Sequence, residues 1–239
     1  MPTPPPRPRR TLESGALILC MLAAAGCPAG PMPPIPVVFV HGFGGENTRS
    51  FASMIAWLAQ NGWDGVALRE FNMTSSDNCI HISAAELEAE VERVVQETGS
   101  SQVDLVGHSL GGLVVRHYVK FMQGQTRARN IVTLTTPHHG TVLAPWYGPE
   151  CSVSQMAINS LYLRTLNLPD ETPVPAVRYM NVRSLTDDFV QPGESALLAG
   201  AADRSVWIDH FQMLAYLESF ELVKEGLQGG GLNEDAPAS

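Results

Sequence analysis

The chain has 239 residues, with 24 acidic side chains against 15 basic ones, a formal net charge of −9 and a 44% hydrophobic content. An acidic chain repels nucleic acid and anionic lipid surfaces alike, so neither is an expected partner. Its apolar fraction is enough for one substantial core.

In chain order, the N-terminus reads as an export signal rather than as part of a fold. Arg7, Arg9 and Arg10 form a basic region, and Ala16 to Ala25 form an apolar stretch too short to span a bilayer comfortably. Residues 1–26 are therefore expected to be a signal peptide of the lipoprotein type. Ala24-Ala25-Gly26-Cys27 resembles a bacterial lipobox, with alanine at 24 where leucine is usual. An acylated Cys27 would hold the protein on a membrane through its lipid anchor alone. The expected location is the cell envelope or the extracellular space, with plain secretion as the alternative. Residues 27–35 are proline-rich and read as a stiff tether. Residues 36–228 form one domain, and 229–239, opening on Gly229-Gly230-Gly231, a disordered tail. Once Cys20 is removed and Cys27 acylated, Cys79 and Cys151 remain in an oxidising compartment, and a disulfide between them is expected.

Within the domain, strand and helix patterns alternate. Val37 to Val40 is a short apolar run. Phe51 to Leu58 has helical spacing and stops at Asn61-Gly62, a C-cap signal. Val66 to Phe71 is a weaker strand. Ser83-Ala84-Ala85-Glu86 reads as a capping box, after which Leu87, Val91, Val94 and Val95 mark one helical face. Val103 to Val106 is a strand and Leu113 to Met122 a helix. Ile131 to Leu134, Val177 to Val182 and Ser205 to Ile208 are further strands, and a last amphipathic helix carries Met213, Leu217 and Phe220. Such alternation predicts an α/β fold in a single domain, with a mostly parallel open sheet covered by helices on both faces. Sites in such sheets lie at the carboxyl ends of the strands.

The motifs fall at those ends. Gly107-His108-Ser109-Leu110-Gly111 stands between a strand run and a helix run, the context of a nucleophile elbow. Ser109 is the candidate nucleophile, and glycines on either side let strand and helix approach closely. His41-Gly42-Phe43-Gly44-Gly45 ends the first strand. A glycine-rich turn there can offer the Phe43 N–H to an oxyanion, with the Leu110 N–H as second donor. A serine hydroxyl needs a base, and the base needs an orienting acid, in the order serine, acid, histidine. His117 lies in the helix after the elbow, and His138 and His139 precede any plausible acid. His210 follows an acid and a strand, so it is the candidate base. Asp187 and Asp188 both qualify as the acid by position; Asp203 and Asp209 are weaker. Adjacent His138 and His139 rarely chelate one ion, so no metal site is expected.

Taken together, the segments 41–45, 107–112, Thr136-Pro137-His138-His139-Gly140-Thr141 and the one around Asp187 resemble the small bacterial class 2 lipases, the lidless Bacillus-type lipase and its actinobacterial relatives. The resemblance covers about residues 36 to 231. It implies the α/β-hydrolase fold and hydrolysis of acyl esters or lipids with no metal and no organic cofactor. That family's Ser-x-x-Asp-x-x-Val pattern is met by Ser184, Asp187 and Val190, which favours Asp187. The chain departs from the family in a longer 141–173 segment, placed to cover part of an acyl pocket, and in lacking a glycine before His210. A monomer is expected. The alternatives are an acyltransferase or thioesterase of the same fold, or a surface lipoprotein that binds lipid or a partner without turnover.

Overall fold

The computed structural model describes residues 34–173 and 175–229. The signal segment, Cys27, most of the tether and all but the first residue of the tail lie outside these residues. Six strands form the sheet: β1 (Val37–Val40), β2 (Leu68–Phe71), β3 (Val103–His108), β4 (Ala128–Leu134), β5 (Arg178–Ser184) and β6 (Ala202–Val206). They run in the order β2-β1-β3-β4-β5-β6, and every neighbouring pair is parallel.

A parallel pair needs a crossover that lies over one face, so central strands are buried on both sides. Accordingly β1 and β3 are buried at every position. Alternation along β1 divides the core in two. Val37 and Phe39 face a cluster with Met54 and Leu58 of α1 (Ala52–Gln60) and Phe220 and Val223 of α7 (Leu217–Leu227). Val38 and Val40 face the other cluster, with Leu87 and Val91 of α2 (Ile80–Thr98) and Leu113 and Val114 of α3 (Leu110–Phe121). The chain steps from β1 outward to β2, then returns past β1 to β3. Connections after β1 and β3 therefore part in opposite directions and open a crevice between them.

Three expectations shift. Helix α2 starts at Ile80, one turn before the Ser83 capping box, and Ser83 is buried within it. Long-range contacts override the local cap: Cys79 is disulfide-bonded to Cys151, and Gln155 Oε1 accepts the Ile80 N–H at 2.7 Å. Strand β6 ends at Val206 rather than Ile208, because its register against Met180–Ser184 starts at Ala202. Leu217 is exposed at the start of α7, and Met213 is buried in the preceding turn. The 141–173 segment folds as three short helices, α4 (Ala144–Tyr147), α5 (Cys151–Gln155) and α6 (Leu161–Asn167).

Helix α3 and strand β1 meet where a side chain has no room: a Cβ on Gly111 would lie 2.2 Å from the Val40 carbonyl oxygen and 2.5 Å from that of His41. Gly111→Ala is expected to cost at least ~2 kcal/mol of stability, read as a lowered urea midpoint. A wild-type midpoint would contradict this packing.

Candidate active site

Ser109 stands at the apex between β3 and α3 with φ 52° and ψ −124°, a left-handed conformation that side chains avoid and surroundings must enforce. Its N–H donates to the Leu134 carbonyl at 2.9 Å, which ties the apex to β4. A Cβ on Gly107 would meet Gly112 Cα at 2.6 Å, so strand and helix close tightly beneath the serine. Helix α3 begins at the next residue; its Gly112 N–H donates to the Ser109 carbonyl at 3.1 Å, and the Leu110 N–H ahead of it opens the helix with no intrahelical acceptor.

Loop 41–46 is the other side of the crevice. His41 is fully buried; its Nε2 accepts the Met73 N–H at 3.2 Å, so Nδ1 carries the hydrogen and donates to the Gly42 carbonyl at 2.8 Å. Gly45 N–H donates to the same oxygen at 3.2 Å. A trans peptide is planar, so fixing the Gly42 oxygen turns the Phe43 N–H the opposite way, off the His41 ring. Gly42 must lack a side chain, since a Cβ would sit 2.9 Å from that of Ser109.

The candidate acid and base meet. His210 Nδ1 lies 2.9 Å from Asp187 Oδ2 and 3.1 Å from Oδ1. Asp187 Oδ1 also accepts the N–H groups of Phe189 and Val190, each at 2.8 Å. Both side chains are buried, whereas Asp188 is exposed. With Nδ1–H engaged by Asp187, the free nitrogen of His210 is Nε2. Asp209 instead accepts the N–H groups of Phe211 and Gln212, and Asp203 pairs with Arg183.

Two residues tie the acid and base loops to the sheet. Ser184 Oγ donates to the Ile208 carbonyl and accepts the Thr186 N–H at 3.1 Å, which gives the serine of the Ser-x-x-Asp-x-x-Val pattern a physical task. His108 Nε2–H donates to the His210 carbonyl at 3.0 Å, with ring centroids 4.7 Å apart. Complete burial, with His210 and His41 nearby, holds the His108 pKa well below the usual imidazole range, so it stays a neutral donor.

Ser109, His210 and Phe43 line one cavity of about 350 Å³, completed by Tyr147, Met156 and Phe189. Tyr147 and Met156 come from the 141–173 segment, as its length anticipated. The Tyr147 hydroxyl donates to the Phe189 carbonyl at 3.1 Å, while Trp146 remains 84% exposed.

Sequence reasoning missed a buried polar chain beside the site. Arg116 is buried in α3 and donates to His138 Nδ1 at 3.3 Å, Asn167 Oδ1 at 2.9 Å and the Glu171 carbonyl at 3.1 Å. Burial lowers its pKa to about 10, still charged near neutrality. His138 Nε2–H then donates to Thr133 Oγ1 at 3.2 Å. The Thr136–Gly140 turn is thus packed beside the site, as read. An arginine amid apolar helix positions carries no sequence signal for this role. His117 accepts or donates at Tyr162 rather than approaching the crevice. Among the described residues, no three histidine, cysteine or acidic side chains gather as metal ligands.

A family model for the alpha/beta hydrolase fold matches residues 35–164. The chain belongs to that family. It is 34% identical over 115 residues to a triacylglycerol lipase of Pseudarthrobacter phenanthrenivorans, a match covering 46% of the chain and 35% of the relative. It spans about a third of the length of the triacylglycerol lipases it matches. It is 28% identical over 222 residues to a GPI inositol-deacylase of Candida albicans, covering 83% of the chain and 52% of the relative. In fold, the chain is similar to a Bacillus licheniformis lipase in mature form, with TM-score 0.67 and 20% identity over 82% of this chain and 92% of that one. It is also similar to Aspergillus fumigatus lipase B, with TM-score 0.70 and 18% identity over 86% and 55%.

Burial keeps His108 and His138 neutral and lowers the His117 pKa to about 4. Unfolding frees each to bind a proton below its ordinary value near ~6.5, so the unfolded state gains protons as pH falls. Their contribution to stability is therefore complete above that pH and lost below it. Urea titrations are expected to show a loss of at least ~2 kcal/mol between about pH 6.5 and 5. A flat profile would contradict neutral burial.

Proposed function

We propose that this hydrolase is a serine carboxylesterase or lipase working through an acyl-enzyme. The observation that carries the reading is His210, held by the buried Asp187, lining one cavity with Ser109 on its strained turn. In this reading His210 Nε2 takes the proton of Ser109 as its oxygen attacks the ester carbonyl. The N–H groups of Phe43 and Leu110 receive the oxyanion. His210 then protonates the leaving alcohol. Water, deprotonated by the same nitrogen, releases the acid from Ser109. Asp187 keeps the tautomer that leaves Nε2 free and stabilises the imidazolium when it forms.

The substrate class is an acyl ester, supported by a cavity whose walls are largely aromatic and aliphatic. Helices α4 to α6 are short, and we infer that dissolved short and medium esters reach the site without interfacial activation. Export is supported by the Cys79–Cys151 disulfide. Anchoring through an acylated Cys27 is part of the same proposal, and intact-mass measurement of the mature protein tests it.

The deciding experiment is the hydrolysis of p-nitrophenyl butyrate and octanoate by the wild type and two variants. Ser109→Ala is expected to lower kcat on the order of 10⁶-fold and Asp187→Asn about 10⁴-fold. Absence of hydrolysis, or activity indifferent to Ser109, would refute the esterase and favour a binding lipoprotein. A sharp rate increase above the micellar concentration would refute only the open-site reading.

A further inference from the structure

Ser76 lies outside the triad and the elbow, yet all its polar groups bond to other segments. Its Oγ accepts the Gly44 N–H at 2.9 Å, its own N–H donates to the Glu46 carboxylate, and its carbonyl accepts Ser152 Oγ–H at 2.5 Å. Both serines are buried. Two of these bonds hold loop 42–46, and the third reaches α5, the short helix that leads into Met156 of the cavity wall. The segment that follows Ser76 is joined again to α5 by the Cys79–Cys151 disulfide and by the Asp77 carbonyl, which accepts the Ser152 N–H at 3.4 Å.

We propose that Ser76 is a positioning residue for the oxyanion-binding loop, held in place from the α5 side by Ser152 and the disulfide. The proposal rests on the ester-hydrolase reading above, in which the Phe43 N–H binds the oxyanion. That N–H belongs to the peptide whose Gly42 carbonyl is held by His41 and Gly45, and the next peptide, Phe43–Gly44, is held at its Gly44 N–H by Ser76, so the Phe43 backbone is fixed from both sides. Packing does not restrain Gly44. It has φ +69°, and a Cβ built there would meet nothing within 4 Å. A glycine this free samples many conformations unless a hydrogen bond selects one, and the Ser76 hydroxyl supplies that bond.

Removing it leaves the acyl pocket and the Asp187–His210 pair in place and misaligns a donor that matters only once negative charge develops. In the full chain, Ser76→Ala is expected to lower kcat for p-nitrophenyl butyrate roughly 10-fold or more, as small misplacements of catalytic groups do, with KM within about twofold. An alkyl boronic acid, which forms a tetrahedral adduct on serine, should lose affinity by the same factor as kcat/KM. A merely structural lesion would lower the thermal midpoint and the amount of folded enzyme without that matched loss. Ser152→Ala should shift kcat in the same direction and by less. Reducing the wild-type disulfide with dithiothreitol should also lower kcat, but should add little in Ser76→Ala, because both changes act through one residue. Wild-type kcat in Ser76→Ala, or full additivity with reduction, overturns the proposal. If Ser76→Ala does not fold, Ser152→Ala and the reduced wild type decide on the same criterion. Activity that Ser109→Ala abolishes and Ser76→Ala leaves intact defeats this inference alone; activity that survives Ser109→Ala defeats the esterase reading itself.

Discussion

The close approach of α3 to strands β1 and β3 is the constraint on which the site depends. Main chain touches main chain there: any Cβ on Gly107 or Gly111 would overlap backbone atoms, and one on Gly112 would strike Thr136. That contact forces a sharp reversal at Ser109 and holds its unfavourable φ. Strain of this kind costs of order 1–3 kcal/mol and persists only where the surroundings over-determine it. Here the surroundings are strands and a helix already buried by the core, and the Leu134 carbonyl of β4 holds the Ser109 N–H at the apex.

The second requirement is to bring the ends of β5 and β6 to the same point. Asp187 and His210 are 23 residues apart, and each sits on its own loop. The Ser184–Ile208 and His108–His210 bonds join these loops to one another and to the elbow strand. Because His108 precedes Ser109 directly, one strand end fixes both the candidate nucleophile and the backbone of the candidate base. Neutrality matters in this contact. A charged His108 beside His210 would oppose formation of the imidazolium, and burial prevents it.

Much of this was legible from local pattern. Strand β1, strand β3, the elbow and His210 follow from short runs whose side chains answer to immediate neighbours. The choice between Asp187 and Asp188 did not follow from spacing, since both lie on the same loop. It depends on which carboxylate is caught by the Phe189 and Val190 N–H groups, a property of loop conformation that only the family pattern encoded. The start of α2 was misplaced because its cap comes from residues 151–155, some 70 positions away in sequence. The end of β6 was misplaced because Ile208 is apolar for another reason: it is buried where its carbonyl receives Ser184. Arg116 and Ser76 were invisible, since each acts through partners distant in the chain.

The placement of charge completes the physical account. Asp187 is buried but accepts two backbone N–H groups besides the His210 ring, so its negative charge is solvated by fixed dipoles rather than by water. Around the pair the surface is aromatic: the Phe189 ring centroid lies 5.0 Å from that of His210 and the Phe211 centroid 5.4 Å. In such surroundings the attraction between a carboxylate and a forming imidazolium is stronger than in water. The positive charge of Arg116 is kept on the far side of His138, whose imidazole is neutral. The buried Asp187 carboxylate and the backbone N–H groups at the crevice would both favour the charges that develop in the proposed addition of a serine oxygen to an ester carbonyl.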